Sequence, residues 1–141
     1  MSFNPRKLLM ITVLAFTFVL SLCSCGEKAP PHYGAFLKDG GNFIELPELE
    51  VFGRITERDV AGAPVAPDSH PVVALWRQGT RLEYLMLYQI NPFEELRYTA
   101  DPKDDGVINL RPVDPLQPGY YCYYQGDPLG MGLPAWCFEV Q

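Results

Sequence analysis

Ser69 and His70 are the nearest thing in this chain to a nucleophile beside a base, and Ser69 is the only serine after residue 24. Adjacent residues seldom act together in that way, because nucleophile and base are brought together by the fold and not by the chain. The pair therefore reads as loop residues. The one other histidine, His32, stands near the start of the chain's polar part. Asp101, Asp104 and Asp105, ahead of Gly106, offer oxygen ligands of the kind calcium takes. Their spacing departs from the EF-hand loop, and an Asp-Gly turn accounts for them. A pair of carboxylates could serve glycoside hydrolysis only at a set separation, which nothing in the sequence imposes. The expectation is a protein that is not an enzyme, with no cofactor and no metal site.

Two stretches have the chemistry of binding. Tyr120, Tyr121, Tyr123 and Tyr124 form an aromatic cluster. Aromatic rings recur in interfaces and stack on sugars, and Tyr120 and Tyr124, on one side of an alternating strand, are the candidates for such contact. The second stretch is Gly126 to Pro134, which carries Leu129, Met131 and Leu133 between glycines and prolines. Exposed together, these three would make an apolar contact patch.

What positions these residues begins with the leader. Arg6 and Lys7 precede an apolar run, Leu8 to Leu22, of fifteen residues. A spanning helix needs about 20, so the segment reads as a secretory signal. It ends in Leu22-Cys23-Ser24-Cys25, which resembles the lipobox of bacterial lipoprotein precursors, with small Ser24 before the cysteine. The resemblance implies cleavage after Ser24 and lipidation of Cys25, whose sulfur would carry a diacylglycerol and whose amine a further acyl chain. Each buried methylene contributes about 0.8 kcal/mol, and two or three chains make a stable anchor. Gly26 stands where an aspartate would favour inner-membrane retention, so the outer membrane, facing the periplasm, is the favoured location. If Cys23 leaves with the signal and Cys25 is lipidated, Cys122 and Cys137 remain in an oxidising compartment and pair as a disulfide. The sixteen-residue loop so closed contributes roughly 3 kcal/mol.

The whole chain has 11 basic and 17 acidic residues. Without Arg6 and Lys7 the balance is 9 against 17, a net charge of about −8. That excludes nucleic acid as a partner, since binding it needs a basic face. It also argues against electrostatic adhesion to anionic lipid headgroups, so the lipid must do the anchoring.

Three segments follow: the signal peptide 1–24, a lipidated cysteine with a short tether at 25–32, and one domain at 33–141. Within the domain, short apolar runs rich in Tyr, Phe, Val and Ile alternate with Gly and Pro turns, the pattern of an all-β domain. Strands are expected at 33–38, 43–46, 48–55, 72–76, 82–90, 107–110, 120–124 and 135–140, with 93–99 as a strand or a helical turn. About eight strands fit a small antiparallel β-sandwich. The stretch 57–71 reads as a long, chemically bland surface loop.

Leu116-Gln117-Pro118-Gly119-Tyr120-Tyr121-Cys122 resembles the end of an immunoglobulin-type domain, with Tyr120 in the place of its tyrosine corner. That resemblance implies Tyr120 and Cys122 facing the core. Alternation along the last strand says otherwise. With Trp136, Phe138 and Val140 inward, Cys137 faces out, and its cross-strand partner Cys122 must share that face, along with Tyr120 and Tyr124. The outward disulfide is the preferred arrangement. Together these residues suggest an envelope lipoprotein with a non-catalytic binding or accessory role, through an envelope protein partner, or alternatively through a glycan or peptidoglycan held by exposed tyrosines.

Overall fold

The computed structural model describes residues 28–126 and 131–141; the signal, Cys25 and Leu129 lie outside the described residues. The strands, numbered in chain order, are β1 Gly34–Asp39, β2 Asn42–Leu46, β3 Glu48–Phe52, β4 Val73–Trp76, β5 Leu85–Gln89, β6 Glu94–Leu96, β7 Tyr98–Pro102, β8 Ile108–Pro112, β9 Gly119–Gln125 and β10 Met131–Val140. A single 3-10 turn, Leu82–Tyr84, is the sole helical element among the described residues. The strands form two five-stranded antiparallel sheets, ordered β2-β1-β4-β8-β7 and β3-β10-β9-β5-β6. The first is called here the tether sheet and the second the disulfide sheet.

The first hairpin forms as expected, with Asp39 paired to Asn42 across Gly40, whose φ of 58° suits a residue without a Cβ. Four expectations change. The 48–55 stretch is a strand only to Phe52, and the last strand starts at Met131 and not at 135. The 82–90 stretch is a strand only from Leu85, and its Leu85 and Leu87 face the core. The 93–99 stretch splits at Arg97: β6 pairs with β5, and β7 crosses to pair with β8 in the other sheet. That crossing brings the count to ten strands.

Strand alternation then fills the space between the sheets. Ala35, Leu37, Val73, Leu75 and Leu110 from the tether sheet meet Leu85, Leu87, Tyr121, Tyr123, Trp136, Phe138 and Val140 from the other. The opposite face of the disulfide sheet is apolar too. Cys122 and Tyr124 of β9, Ala135 and Cys137 of β10, and Val51 of β3 are buried there in a second cluster. A sheet that is apolar on both faces must be covered on both.

The cover comes from the end of the stretch expected as strand 48–55, which stops at Phe52, and from the segment 57–71 expected to be a bland loop. Ile55 and Val60 are buried in the second cluster, so residues 53–66 form a strap. It is tied at several points. The Thr56 backbone N–H and hydroxyl both donate to Asp59 Oδ2, at 2.8 and 2.9 Å. These bonds hold the Asp59 carboxyl below its usual pKa, the backbone one foremost. Further on, the Glu139 N–H donates to Pro64 O at 2.9 Å and the Ala66 N–H to Glu139 O at 2.8 Å. Val65 thereby makes a parallel bridge to Glu139, on the β10 edge beyond the reach of β3, which pairs only with Met131 to Trp136. The sequence hides this because Ala, Gly and Pro around two isolated apolar residues have no period to read.

The strap accounts for a measurable part of the stability. Val60→Ala is expected to cost roughly 1–3 kcal/mol in urea unfolding. Val65→Ala, at an exposed position, is expected to change it by less than about 0.5 kcal/mol.

Candidate functional site

The tyrosine cluster divides by face. Tyr121 and Tyr123 point into the space between the sheets. Tyr124 is buried under the strap side, and Tyr120 is half-buried against the same cluster. The face assignment drawn from alternation is therefore observed, with Cys122 opposite Cys137 in register and the two joined as a disulfide with Cα atoms 4.1 Å apart. The corner residue is corrected. It is the Tyr121 hydroxyl, not that of Tyr120, that donates back to the Gln117 carbonyl at 2.6 Å. The motif is shifted by one residue, which lets the corner tyrosine face inward while the cysteine faces out.

Burial also corrects one candidate binding residue. Tyr124 has no exposed surface and cannot touch a ligand, so β9 does not present the row of tyrosines that a sugar would stack on. Its ring lies edge-on to Tyr88, which stacks on Phe93 at 4.7 Å, and the Arg54 guanidinium covers Phe93 at 4.6 Å. These side chains extend the cover over β5 and β9. Burial pushes the phenols of Tyr123 and Tyr124 well above their usual range, and neither hydroxyl has a hydrogen-bond partner of good geometry.

The reactive-type residues have structural tasks. His70 Nε2 lies 2.5 Å from Pro112 O, and the Ser69 carbonyl accepts from the Leu116 N–H at 2.6 Å. Asp105 accepts from the Val107 N–H at 3.0 Å, and Asp101 pairs with Lys103 at 2.7 Å. The acids before Gly106 thus build a turn. Among the described residues no three His, Cys, Asp or Glu converge as metal ligands.

At one end of the disulfide sheet the arrangement is different. β3 ends in Phe52, which stands across from Met131 at the start of β10. Phe52 is 69% exposed, the most exposed large apolar side chain among the described residues. Leu133, two residues further along β10, is half-buried. It leans on Gly126, where a Cβ would come within 3.2 Å of the Leu133 side chain. The Gly126 N–H bonds to the Tyr84 carbonyl, and Tyr84 is itself exposed. Residues 131–134, expected as part of a loop, are thus the first residues of β10, with Phe52 beside them on the neighbouring edge strand; residues 127–130 lie outside the described residues. In the sequence Phe52 stands among Glu48, Glu50 and Arg54, the one apolar residue on the polar face of that alternating stretch, and this exception is the signal.

No protein-family model matches the chain, and no curated protein or solved structure matches it either.

Three substitutions test the tyrosine assignments. Tyr121→Phe is expected to lose about 1 kcal/mol, the worth of one hydrogen bond, while Tyr120→Phe leaves stability unchanged. Tyr123→Phe removes a buried, unpartnered hydroxyl and is expected to raise stability by about 1 kcal/mol. Because the Tyr123 pKa is raised on folding from 10.0, its contribution is intact below pH 10 and is lost as pH rises above it, by about 1.4 kcal/mol per unit. Tyr123→Phe should therefore flatten the alkaline limb of a stability–pH curve. Replacing Cys122 and Cys137 together by Ala is expected to cost about 3 kcal/mol, read as a lowered urea midpoint.

Proposed function

We propose that the protein is a membrane-anchored lipoprotein of the bacterial envelope, held by lipid on Cys25, with a non-catalytic binding or accessory role exerted through protein–protein contact. The observation that carries the contact reading is Phe52. A phenylalanine left largely in water at the end of an edge strand, with half-buried Leu133 on the neighbouring strand, is the composition of a recognition patch. The edge of β3 facing away from β10 pairs with no other described strand, so a partner segment could also bond to its backbone. The disulfide and the strap support the same reading. They stiffen the β9–β10 pair on which β3 and Phe52 rest, and a rigid patch binds at a smaller entropic cost.

Site-specific photo-crosslinking in cells tests this. A photoreactive amino acid in place of Phe52 should give one discrete protein adduct, and one in place of Thr99, on the far edge of the other sheet, should give none. Changing Met131 and Leu133 to Ser should reduce the Phe52 adduct at least tenfold. Equal adduct yields from positions 52 and 99 would reject the Phe52 rim as the binding surface.

A further inference from the structure

Of the stretch 25–32 read from sequence as a short tether, the described residues 28–32 lie against the domain. Lys28, Ala29 and Pro30 line a groove of about 280 Å³ on the outer face of the tether sheet, together with Lys38, Phe43, Ala74 and Lys103. Pro30 is buried, and the His32 ring sits edge-on to Phe36, 5.2 Å between centroids. Phe36 and Ala74 point to this outer face and are nonetheless buried. The chain therefore crosses the broad face of a sheet before it enters β1. Only Gly26 and Glu27 separate Cys25 from Lys28, and three residue steps reach at most about 10 Å.

That length decides an orientation. If Cys25 carries lipid, the bilayer surface must come within about 10 Å of the outer face of the tether sheet. The side chains there suit it. Lys28, Lys38 and Lys103 are the only lysines after residue 24, and all three line the one groove. Burial, and then the positive charges of Lys103 and Arg111, lower the Lys38 pKa, on a chain that is acidic as a whole. Beside them Tyr33, 56% exposed, packs on half-buried Trp76 with ring centroids 4.5 Å apart. Tyrosine and tryptophan favour the headgroup zone, where one end of the ring is wet and the other is not, and lysine reaches phosphates on an apolar stem. Asp104 and Asp105 also line the groove, and Asp101 pairs with Lys103. The contact is thus a matter of placed ammonium groups and aromatic rings and not of a net positive field.

We propose that the outer face of the tether sheet docks on the phospholipid headgroup layer, with Lys28, Lys38 and Lys103 against lipid phosphates and the Tyr33–Trp76 pair in the interfacial zone. The inference rests on lipidation of Cys25. It adds an orientation: the domain lies flat on the membrane, and the disulfide sheet is the layer turned to the aqueous side.

The chain has two tryptophans. Trp76 lies on the proposed contact face, and Trp136 is buried between the sheets. The precursor would be produced in a bacterial host, purified from membranes, and its Cys25 peptide weighed for the attached lipid. It would then be placed in phosphatidylethanolamine–phosphatidylglycerol vesicles containing a lipid with a nitroxide on its headgroup. Docking predicts that the nitroxide quenches about half of the tryptophan emission. Trp76→Phe should remove that quenchable part, and changing all three lysines to Gln should reduce it severalfold. Lipidated protein whose emission is unaffected by the nitroxide, while Trp76 stays open to a water-soluble quencher, would overturn the docking and leave the lipoprotein reading standing. Quenching unchanged by the lysine substitutions would overturn the assignment of the lysines. A Cys25 peptide without lipid would overturn both readings.

Discussion

The pairing of β9 with β10 is the constraint on which the rest of the structure depends. Six residue pairs run from Ala135–Tyr124 to Val140–Gly119, and successive pairs face opposite sides of the sheet, both of them largely apolar. On one face Tyr121, Tyr123, Trp136 and Phe138 fill the space between the sheets. On the other, Cys122, Cys137, Tyr124 and Ala135 are equally buried. A shift of register by one residue would exchange the two sets, placing Trp136 where the small disulfide now sits and separating the two cysteines. The covalent bond and the packing therefore enforce the same register, each making the other alternative costly.

A sheet buried on both faces requires a third layer, and this explains the chain's least regular segment. The strap has no hydrogen-bonded ladder of its own. It is held by Ile55 and Val60 beneath it, by the Thr56–Asp59 turn, and by the bonds that tie Pro64 and Ala66 to Glu139. The chain then passes into the space between the sheets at Ala66 and Leu116, where the Ser69 carbonyl and His70 fix the connections. A serine and a histidine that suggest chemistry by type are thus fastening a crossing between layers. The small residues of the strap follow from the same geometry, since a layer lying on a disulfide and an alanine has little depth to fill.

How much of this was legible depended on whether the signal was local. The hairpin at Asp39–Asn42, the faces of β9 and β10, and the Cys122–Cys137 pairing follow from turn residues and from a period of two, which any strand imposes on its own neighbours. The tyrosine corner was legible as a motif but misplaced by one residue, because Tyr120 and Tyr121 are chemically identical and only their faces distinguish them. The strap was not legible, because its two anchoring residues have no repeat and most of their partners, on β9 and β10, lie more than sixty residues away. The split at Arg97 was hidden for a related reason: a strand that changes sheets keeps its extended pattern while its partners change. Phe52 was visible as a residue out of place, yet its meaning depended on the neighbour β10 supplies.

The two outer faces of the sandwich therefore differ in kind. The strap closes the face of the disulfide sheet with apolar residues, folded by the Thr56–Asp59 turn and fastened to β10 at Pro64 and Ala66. The face of the tether sheet is closed only in part, by five residues that run from Lys28 to His32 and cover Phe36 and Ala74. Those five residues come directly from the cysteine on which the proposed anchor depends. A free tether would let the domain tumble at the membrane and present every surface in turn. A tether that packs on a sheet couples the anchor to one face, because pulling it away would expose Phe36 to water. Burial of one proline and two aromatic contacts thus converts a point of attachment into an orientation, and the Phe52 rim, on the other sheet, is left to the aqueous side where a partner could reach it.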